Sequence, residues 1–134
     1  MFGNNPKTFF SKILKRALNG EHLEIVDDEF GSPCSVSFVS NLISQFILEK
    51  KQFNNQIYHL THDDYCSRYD CGKYFLEKMG FNNKISPIRD IPMDVARPKF
   101  GVMDNTKLRS FMGVSLKSWK NDIDDLVREI TDVK

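Results

Sequence analysis

Prolines at positions 92 and 98 constrain the fold more than any other feature of this sequence. Each lacks a backbone amide donor, and each restricts the residue before it to extended conformations. The stretch 91–97 can therefore be neither a regular helix nor a central strand. We predict a fixed, extended loop here, with the guanidinium of Arg97 at its end.

Two amphipathic helices are predicted after this loop. Asp104 is placed to cap a helix at 105–112, and Gly113 can adopt the left-handed conformation that ends a helix. Ser118 can cap a second helix, because apolar residues then recur at helical spacing: Trp119, Ile123, Leu126, Val127 and Ile130. By itself this arrangement is typical of any domain that ends in two ordinary helices.

Three further helices and several short strands are predicted before the loop. The helices follow candidate caps at Asn5, Ser37 and Ser67, and Asp70 is placed to complete a capping box with Ser67. Strand character is found at 23–26, 56–60 and 84–88. Because the sequence has no internal repeat and no linker, we predict one α/β unit over residues 1–134, with short mixed strands and about five helices.

Composition and charge exclude several classes of function. The 134 residues are 40% hydrophobic and 28% charged, as in soluble globular proteins, and the net charge of +1 provides no basic field for nucleic acid. No apolar run approaches the roughly 20 residues that span a bilayer, and residues 1–12 lack a signal-peptide core. We therefore expect a cytoplasmic protein that binds neither nucleic acid nor membranes.

The cysteines and histidines do not predict a metal site. Cys34, Cys66 and Cys71 fit neither a zinc site nor a Cys-x-x-Cys redox pair, so free thiols are predicted. His59 and His62 lie three residues apart, and in an extended strand such positions face opposite sides. We therefore predict no metal ligand.

Two Tyr-x-x-x-Lys spacings raise the question of reductase chemistry. In a helix such a lysine can lower the pKa of the tyrosine, which then protonates a carbonyl. The pairs are Tyr69 with Lys73 and Tyr74 with Lys78, but both residue types are common on surface helices, and we predict no catalytic residue. Glycines at 3, 20, 31, 72, 80, 101 and 113 are too dispersed for a turn that binds a dinucleotide, so no cofactor-binding residue is predicted.

A series of short motifs follows the order found in a known enzyme family. The motifs are Phe2-Gly3, Phe9 in the first predicted helix, the loop at 27–33, Ile57-Tyr58-His59-Leu60-Thr61, Ala96-Arg97-Pro98, the segment 103–108, and Trp119. Together they resemble the C-terminal half of the dTDP-4-dehydrorhamnose reductases. These are NADPH-dependent enzymes of the extended short-chain dehydrogenase/reductase family. The resemblance extends from Phe2 to about Ile130.

This resemblance implies a fold, a reaction and a set of binding residues. The fold would be the C-terminal, substrate-binding portion of a Rossmann-like reductase. The reaction of the family is the reduction of the 4-keto group of dTDP-4-dehydro-L-rhamnose, in dTDP-rhamnose biosynthesis. The residues implied to bind the nucleotide-sugar are Phe9, Asp28, Gly31, Pro33 and Arg97. An arginine suits a diphosphate because its planar fork donates paired, charge-assisted hydrogen bonds.

The resemblance also implies what this chain does not contain. The dinucleotide-binding part and the Ser/Thr-Tyr-Lys catalytic group would precede Met1, so we expect a truncated form that is inactive alone and does not bind NADPH by itself. Its partner would be a complementing N-terminal fragment, or a second copy in a homo-oligomer.

Two alternatives are left open by the sequence. One is a non-catalytic binding subunit, similar to the reductase-related regulatory subunit of methionine adenosyltransferase, because sheet edges and apolar helix faces without partners favour association. The other is a gene product without function. Thr8 stands where the family has asparagine and Cys34 where it has threonine, which leaves the identity of the sugar open.

Overall fold

The computed structural model describes residues 1–3, 5–49, 55–81, 85–90, 97–113 and 115–132. The predicted loop lies outside these ranges, except for Arg97, and its conformation stays a prediction. Along the described chain the elements are α1 (Phe9–Leu18), β1 (Leu23–Val26), β2 (Phe30–Gly31), α2 (Val36–Leu48), β3 (Cys66–Ser67), α3 (Arg68–Lys78), β4 (Ile85–Ile88), α4 (Thr106–Met112) and α5 (Trp119–Thr131). The predicted α/β fold with about five helices is confirmed.

Strand pairing in the described residues is limited to short ladders. β1 pairs in parallel with β4, from Leu23 opposite Ile85 to Val26 opposite Ile88. Pro87 fits in β4 because both strands of a two-stranded sheet are edges, where a missing amide donor leaves no partner unsatisfied. β2 and β3 form a separate antiparallel pair.

The main core lies between α1, β1, α3 and α5. Aromatic rings form its centre: the ring centroids of Phe10 and Phe75 are 4.9 Å apart, and those of Phe2 and Phe10 are 4.7 Å apart. At the start of α5, the buried ring of Trp119 lies edge-on to Tyr74, at 5.5 Å between centroids. The apolar stripe that the sequence predicts for α5 therefore faces this core.

A second, smaller cluster joins α2 to α4. Leu42 and Phe46 of α2 pack with Leu108 and Met112 of α4, and all four side chains are buried. No helix in the described part of the chain is both long and apolar enough to cross a membrane.

The strand predicted at 56–60 is wrong. A strand requires a neighbour that exchanges backbone hydrogen bonds with it, and no described segment pairs with these residues in a ladder. The alternating pattern instead reflects side-chain packing. Tyr58 and Leu60 lie against the second cluster, whereas Ile57 is exposed.

The helix ends of α3, α4 and α5 follow the sequence closely. Ser67 and Asp70 form the predicted capping box, in which the Ser67 hydroxyl accepts the Asp70 amide at 3.0 Å. α5 begins at its predicted cap. α4 begins one residue later than predicted, at Thr106, so its N-cap is Asn105 and not the predicted Asp104, although the Asp104 carboxylate accepts the Thr106 amide at 2.8 Å. Gly113 ends α4 in the left-handed region, with φ at +67°.

The predicted caps of α1 and α2 are wrong. Asn5 forms a turn, in which its side-chain oxygen accepts the Lys7 amide at 2.9 Å, and Thr8 caps α1 instead. Ser35 rather than Ser37 caps α2. Residues with capping side chains stand close together at both places, so the contacts of the surrounding backbone decide which of them caps the helix.

Candidate functional site

A cavity of about 470 Å³ lies where β2, β3 and the segment 97–101 meet the first turns of α1 and α3. Two backbone hydrogen bonds join β2 to the segment 97–101. The Phe30 amide donates to the Lys99 carbonyl at 2.8 Å, and the Gly101 amide donates to the Phe30 carbonyl at 2.9 Å. The cavity is lined by Met1, Phe2, Phe9, Phe10, Glu29, Phe30, Gly31, Ser32, Pro33, Cys66, Ser67, Arg68, Cys71, Arg97, Pro98 and Gly101.

Four of the five residues that the resemblance implies for substrate binding meet in this cavity. Phe9 contributes the first residue of α1, Gly31 and Pro33 contribute the end of β2 and the loop after it, and Arg97 contributes the opposite wall. These positions are distant in sequence and converge because β2 pairs with both β3 and the segment 97–101. The structure therefore brings together most of the predicted site.

Asp28 is the exception, because it is not among the residues that line the cavity. Its carboxylate accepts the Asp90 amide at 3.2 Å and forms an ion pair with Lys99. The hydrogen bond from Lys99, opposed in part by desolvation, holds the pKa of Asp28 below its ordinary value. Asp28 thus fixes the segment that carries Arg97 instead of facing the cavity.

Arg97 differs from the charged residues around it. Lys99, two residues further on, has the carboxylates of Asp28 and Asp90 as partners, and Arg89 is paired with Asp27 at 3.0 Å. No carboxylate of the described residues lies within ion-pair distance of Arg97, which is exposed at the cavity wall. A guanidinium that no described carboxylate neutralises is available to bind an anionic ligand.

The sequence did not single out Arg68 and Glu29, which also line the cavity. Nε of Arg68 lies 3.1 Å from Oε2 of Glu29, and the Arg68 amide donates to the Glu29 carbonyl at 3.2 Å. Arg68 is the first residue of α3, directly after the cap at Ser67. The predicted cap at Ser67 was the only sequence signal for Arg68, because it identifies Arg68 as the first residue of the helix.

The floor of the cavity is apolar. The rings of Phe2, Phe9 and Phe10 form one side, with centroids of neighbouring rings 4.7 and 5.3 Å apart. Cys66 and Cys71 form the other, and the hydrogen bond between the two thiols, together with burial, raises the pKa of Cys71 far above that of an ordinary thiol. A raised pKa disfavours the thiolate form, which is the reactive form of a cysteine.

The two Tyr-x-x-x-Lys pairs of α3 lie outside this cavity. The Tyr74 hydroxyl donates to Asp124 at 3.0 Å, and Nζ of Lys78 lies 3.1 Å from the same carboxylate. This bond to Asp124, with a further one to Tyr74, raises the pKa of Lys78. A carboxylate that accepts from both residues holds them in a surface network between α3 and α5.

The described residues do not fit a dinucleotide cofactor. A pyrophosphate is bound by free amides at the start of a helix that follows a glycine-rich turn. Here α1, α2, α3 and α5 each have a serine or threonine hydroxyl that accepts one of these amides. The glycines at 20, 80 and 113 have positive φ and lie at the other end of helices, where they stop α1, α3 and α4.

A buried network behind the cavity holds its loop in place. Nε2 of His62 lies 2.9 Å from Oδ2 of Asp122, which also accepts the Ser35 amide at 2.7 Å. Nδ1 of His62 lies 2.5 Å from the Lys117 carbonyl, and its ring lies over Phe38. The network therefore ties α5 to the loop that runs from the cavity into α2. No group of three or more metal-ligating side chains is found in the residues that the structure describes.

Comparisons with known proteins agree with the fold. Residues 1–132 match the family model described as "RmlD substrate binding domain". The chain is 23% identical over 133 residues to the spore coat polysaccharide biosynthesis protein SpsK of Bacillus subtilis (strain 168). This alignment covers 96% of this chain and 44% of that protein. The chain is 24% identical over 137 residues to the dTDP-4-dehydrorhamnose reductase of Aggregatibacter actinomycetemcomitans. This alignment covers 93% of this chain and 46% of that protein.

The fold is also found in a solved structure. The dTDP-4-dehydrorhamnose reductase of Bacillus anthracis str. Ames, crystallised in complex with NADP, superimposes with a TM-score of 0.85 at 20% identity and covers 96% of this chain and 45% of that one. The chain thus spans a little under half the length of each of these relatives. Because the family model matches nearly every residue, the chain belongs to the RmlD substrate binding domain family.

Proposed function

We propose that residues 1–134 form the nucleotide-sugar-binding unit of a dTDP-4-dehydrorhamnose reductase. The observation that carries this proposal is the cavity in which Arg97, without a carboxylate partner among the described residues, faces an aromatic floor. A nucleoside diphosphate sugar needs both of these features. Its phosphates require a cationic donor, and its sugar and base rings pack on apolar and aromatic side chains.

The roles of the lining residues follow from their chemistry. Arg97 would donate its paired N–H groups to the diphosphate, and Phe9 would pack against the ring system that enters between α1 and the loop after β2. Gly31 and Pro33 would shape this loop and leave room for the ligand. For a Cβ added at Gly31, the structure has no atom within 4 Å, so the cavity is open at that point.

Reduction of a keto group needs parts that we do not find in this unit. The hydride would come from NADPH, as the complex of the Bacillus anthracis relative with NADP suggests, but the described residues do not fit that cofactor. The dinucleotide-binding part and a proton donor would have to be supplied outside residues 1–134. We therefore propose that this unit alone binds the nucleotide-sugar and does not reduce it.

Calorimetric titration of the chain with dTDP tests the binding role. We expect saturable binding with one site per chain, and we expect Arg97→Gln to weaken it by about 10- to 100-fold, because hydrogen bonds to charged groups contribute about 1.5–3 kcal/mol. Arg16→Gln is the matched control, since Arg16 is an exposed arginine near the far end of α1 and away from the cavity. Equal affinities of wild type and Arg97→Gln would contradict the proposal.

An activity assay tests the division of labour. The chain alone, mixed with dTDP-4-dehydro-L-rhamnose and NADPH, is expected to give no loss of NADPH absorbance above the rate without protein. Addition of the dinucleotide-binding half of a reductase such as the Aggregatibacter actinomycetemcomitans relative is expected to restore oxidation of NADPH, and Arg97→Gln should reduce the restored rate. Turnover by the chain alone would overturn the proposed division.

A non-catalytic binding subunit is the second candidate. It is favoured by the apolar side chains that α2 exposes along one side, namely Val36, Ile43 and Ile47, because a surface of this kind favours association with another protein. The activity assay separates the two candidates. A regulatory subunit would bind the nucleotide but restore no reduction with any dinucleotide-binding half.

A further inference from the structure

The guanidinium of Arg68 is held in place and still has free donors. Its Nε forms an ion pair with the Glu29 carboxylate at 3.1 Å, and its backbone amide donates to the Glu29 carbonyl at 3.2 Å, so the position of this arginine is restrained. No described residue accepts a hydrogen bond from Nη1 or Nη2. The side chain is 48% exposed whereas that of Glu29 is only 13% exposed, so the fork is the part of this pair that reaches a ligand.

This arrangement gives the cavity a second cationic wall. Arg68 projects from the first residue of α3, and Arg97 belongs to the segment 97–101 on the other side of β2. Glu29 is the one carboxylate among the described residues that line the cavity, and Arg68 already pairs with it. Among these described residues, two guanidiniums outnumber one carboxylate, which favours a ligand with more than one anionic group.

Pre-organisation makes such an arginine selective. A free arginine must lose side-chain entropy to bind a phosphate, whereas Arg68 has lost part of it already through its bond to Glu29. Its contribution is therefore realised only if the ligand places an oxygen where the fork already lies. A single phosphate has one anionic group for two arginines, whereas a diphosphate has a second group that could engage Arg68 while the first engages Arg97.

We propose that Arg68 is a specificity-determining residue, which binds the second phosphate of a diphosphate ligand and makes the cavity prefer nucleoside diphosphates to monophosphates. Glu29 is the positioning residue that orients it. This proposal rests on the proposed function for the identity of the ligand as a nucleotide, but its physical basis is the Glu29–Arg68 pair at 3.1 Å in the wall of the cavity.

The test compares dTDP, dTMP and inorganic pyrophosphate by titration calorimetry of the full chain. Arg68→Gln is expected to weaken dTDP and pyrophosphate by about tenfold and dTMP by less than about threefold, so that the preference for the diphosphate falls. Arg97→Gln is expected to weaken all three ligands. Arg16→Gln, which breaks an exposed arginine–glutamate pair of the same kind at 2.7 Å, should change none of them.

The outcomes separate this proposal from the function on which it rests. If dTDP binds to wild type and to Arg68→Gln equally, or if Arg68→Gln weakens dTDP and dTMP by the same factor, the role of Arg68 is wrong and the proposed function stands. If pyrophosphate binds in an Arg68-dependent manner and dTDP does not bind, the nucleotide assignment is wrong and the role of Arg68 stands. Absence of all binding overturns both.

Glu29→Gln tests the positioning role. It preserves the shape of the side chain but removes the charge that holds Nε of Arg68, so we expect about threefold weaker dTDP binding and unchanged dTMP binding. In the double variant Arg68→Gln/Glu29→Gln, the loss should equal that of Arg68→Gln alone, because Glu29 acts only through Arg68. Additive losses, with unchanged urea unfolding of each variant, would contradict this role.

Discussion

Replacement of Asp122 by alanine is expected to lower the free energy of unfolding by about 2–5 kcal/mol, because it leaves two buried groups without their acceptor at about 1–3 kcal/mol each. The carboxylate of Asp122 is buried and accepts from His62 and from the Ser35 amide. The variant would leave both groups enclosed without this acceptor, at the cap of α2. Urea unfolding followed by circular dichroism measures the loss.

Asp125→Ala is the matched control in the same helix. Asp125 pairs with Arg128 at 2.5 Å, but both side chains are exposed, and surface pairs of this kind contribute about 0–1 kcal/mol. A loss as small in Asp122→Ala as in Asp125→Ala would show that the network behind the cavity does not stabilise the fold.

The same carboxylate makes stability depend on pH. Burial raises the pKa of Asp122, but the hydrogen bonds from His62 and Ser35 outweigh it and lower the pKa below its ordinary value of 3.8. A carboxylate of this kind stabilises the fold above its unfolded pKa, and the contribution is lost as the pH falls through the folded pKa. The stability difference between wild type and Asp122→Asn should therefore shrink below about pH 4.

The second large effect is expected for Phe75→Ala, with a loss of about 3–5 kcal/mol in the free energy of unfolding. Phe75 is fully buried at the centre of the main core, where its ring meets that of Phe10, and alanine would leave a cavity between α1 and α3. Urea unfolding again provides the measurement. The control is Phe100→Ala, because this ring is 61% exposed and its loss should cost less than about 1 kcal/mol.

Two results would count against this expectation. A loss below about 1 kcal/mol in Phe75→Ala would mean that the core can close around the missing ring, and a large loss in Phe100→Ala would mean that the exposed aromatic contacts near β2 carry the fold. Phe100 contacts Phe30 and Tyr65 at centroid distances of 6.3 and 5.4 Å, so a small effect is expected even there.

Local features of the fold could be predicted from the sequence because their cause is local. The capping box of Ser67 and Asp70 and the left-handed stop at Gly113 depend on residues within one helical turn. The strand predicted at 56–60 depends instead on a neighbouring strand, which no pattern within the segment can specify. The start of α2 likewise depends on a distant contact, because the Val36 amide donates to the Phe2 carbonyl at 2.8 Å.

In the candidate site too, some residues could be predicted from the sequence and others could not. The resemblance to a family predicted Phe9, Gly31, Pro33 and Arg97, and these residues do line one cavity, although their role in binding is still a prediction. Asp28, which the resemblance also predicted, is not among the lining residues and pairs with Lys99 of another segment, so its role in binding likewise stays a prediction.

The pair of Glu29 and Arg68 could not be foreseen from the sequence. It forms only because β2 pairs with β3, which brings together residues that lie far apart along the chain. The partnership of His62 with Asp122 depends in the same way on how α5 packs, and not on any local spacing.

The position of the single tryptophan has a spectroscopic consequence. Trp119 is buried against Tyr74 in the main core and is not among the residues that line the cavity. Its fluorescence should therefore change strongly when the core is exposed to water and stay constant when a nucleotide binds. One optical signal can thus follow unfolding at every ligand concentration, and the shift of the unfolding midpoint then measures affinity without interference from the ligand itself.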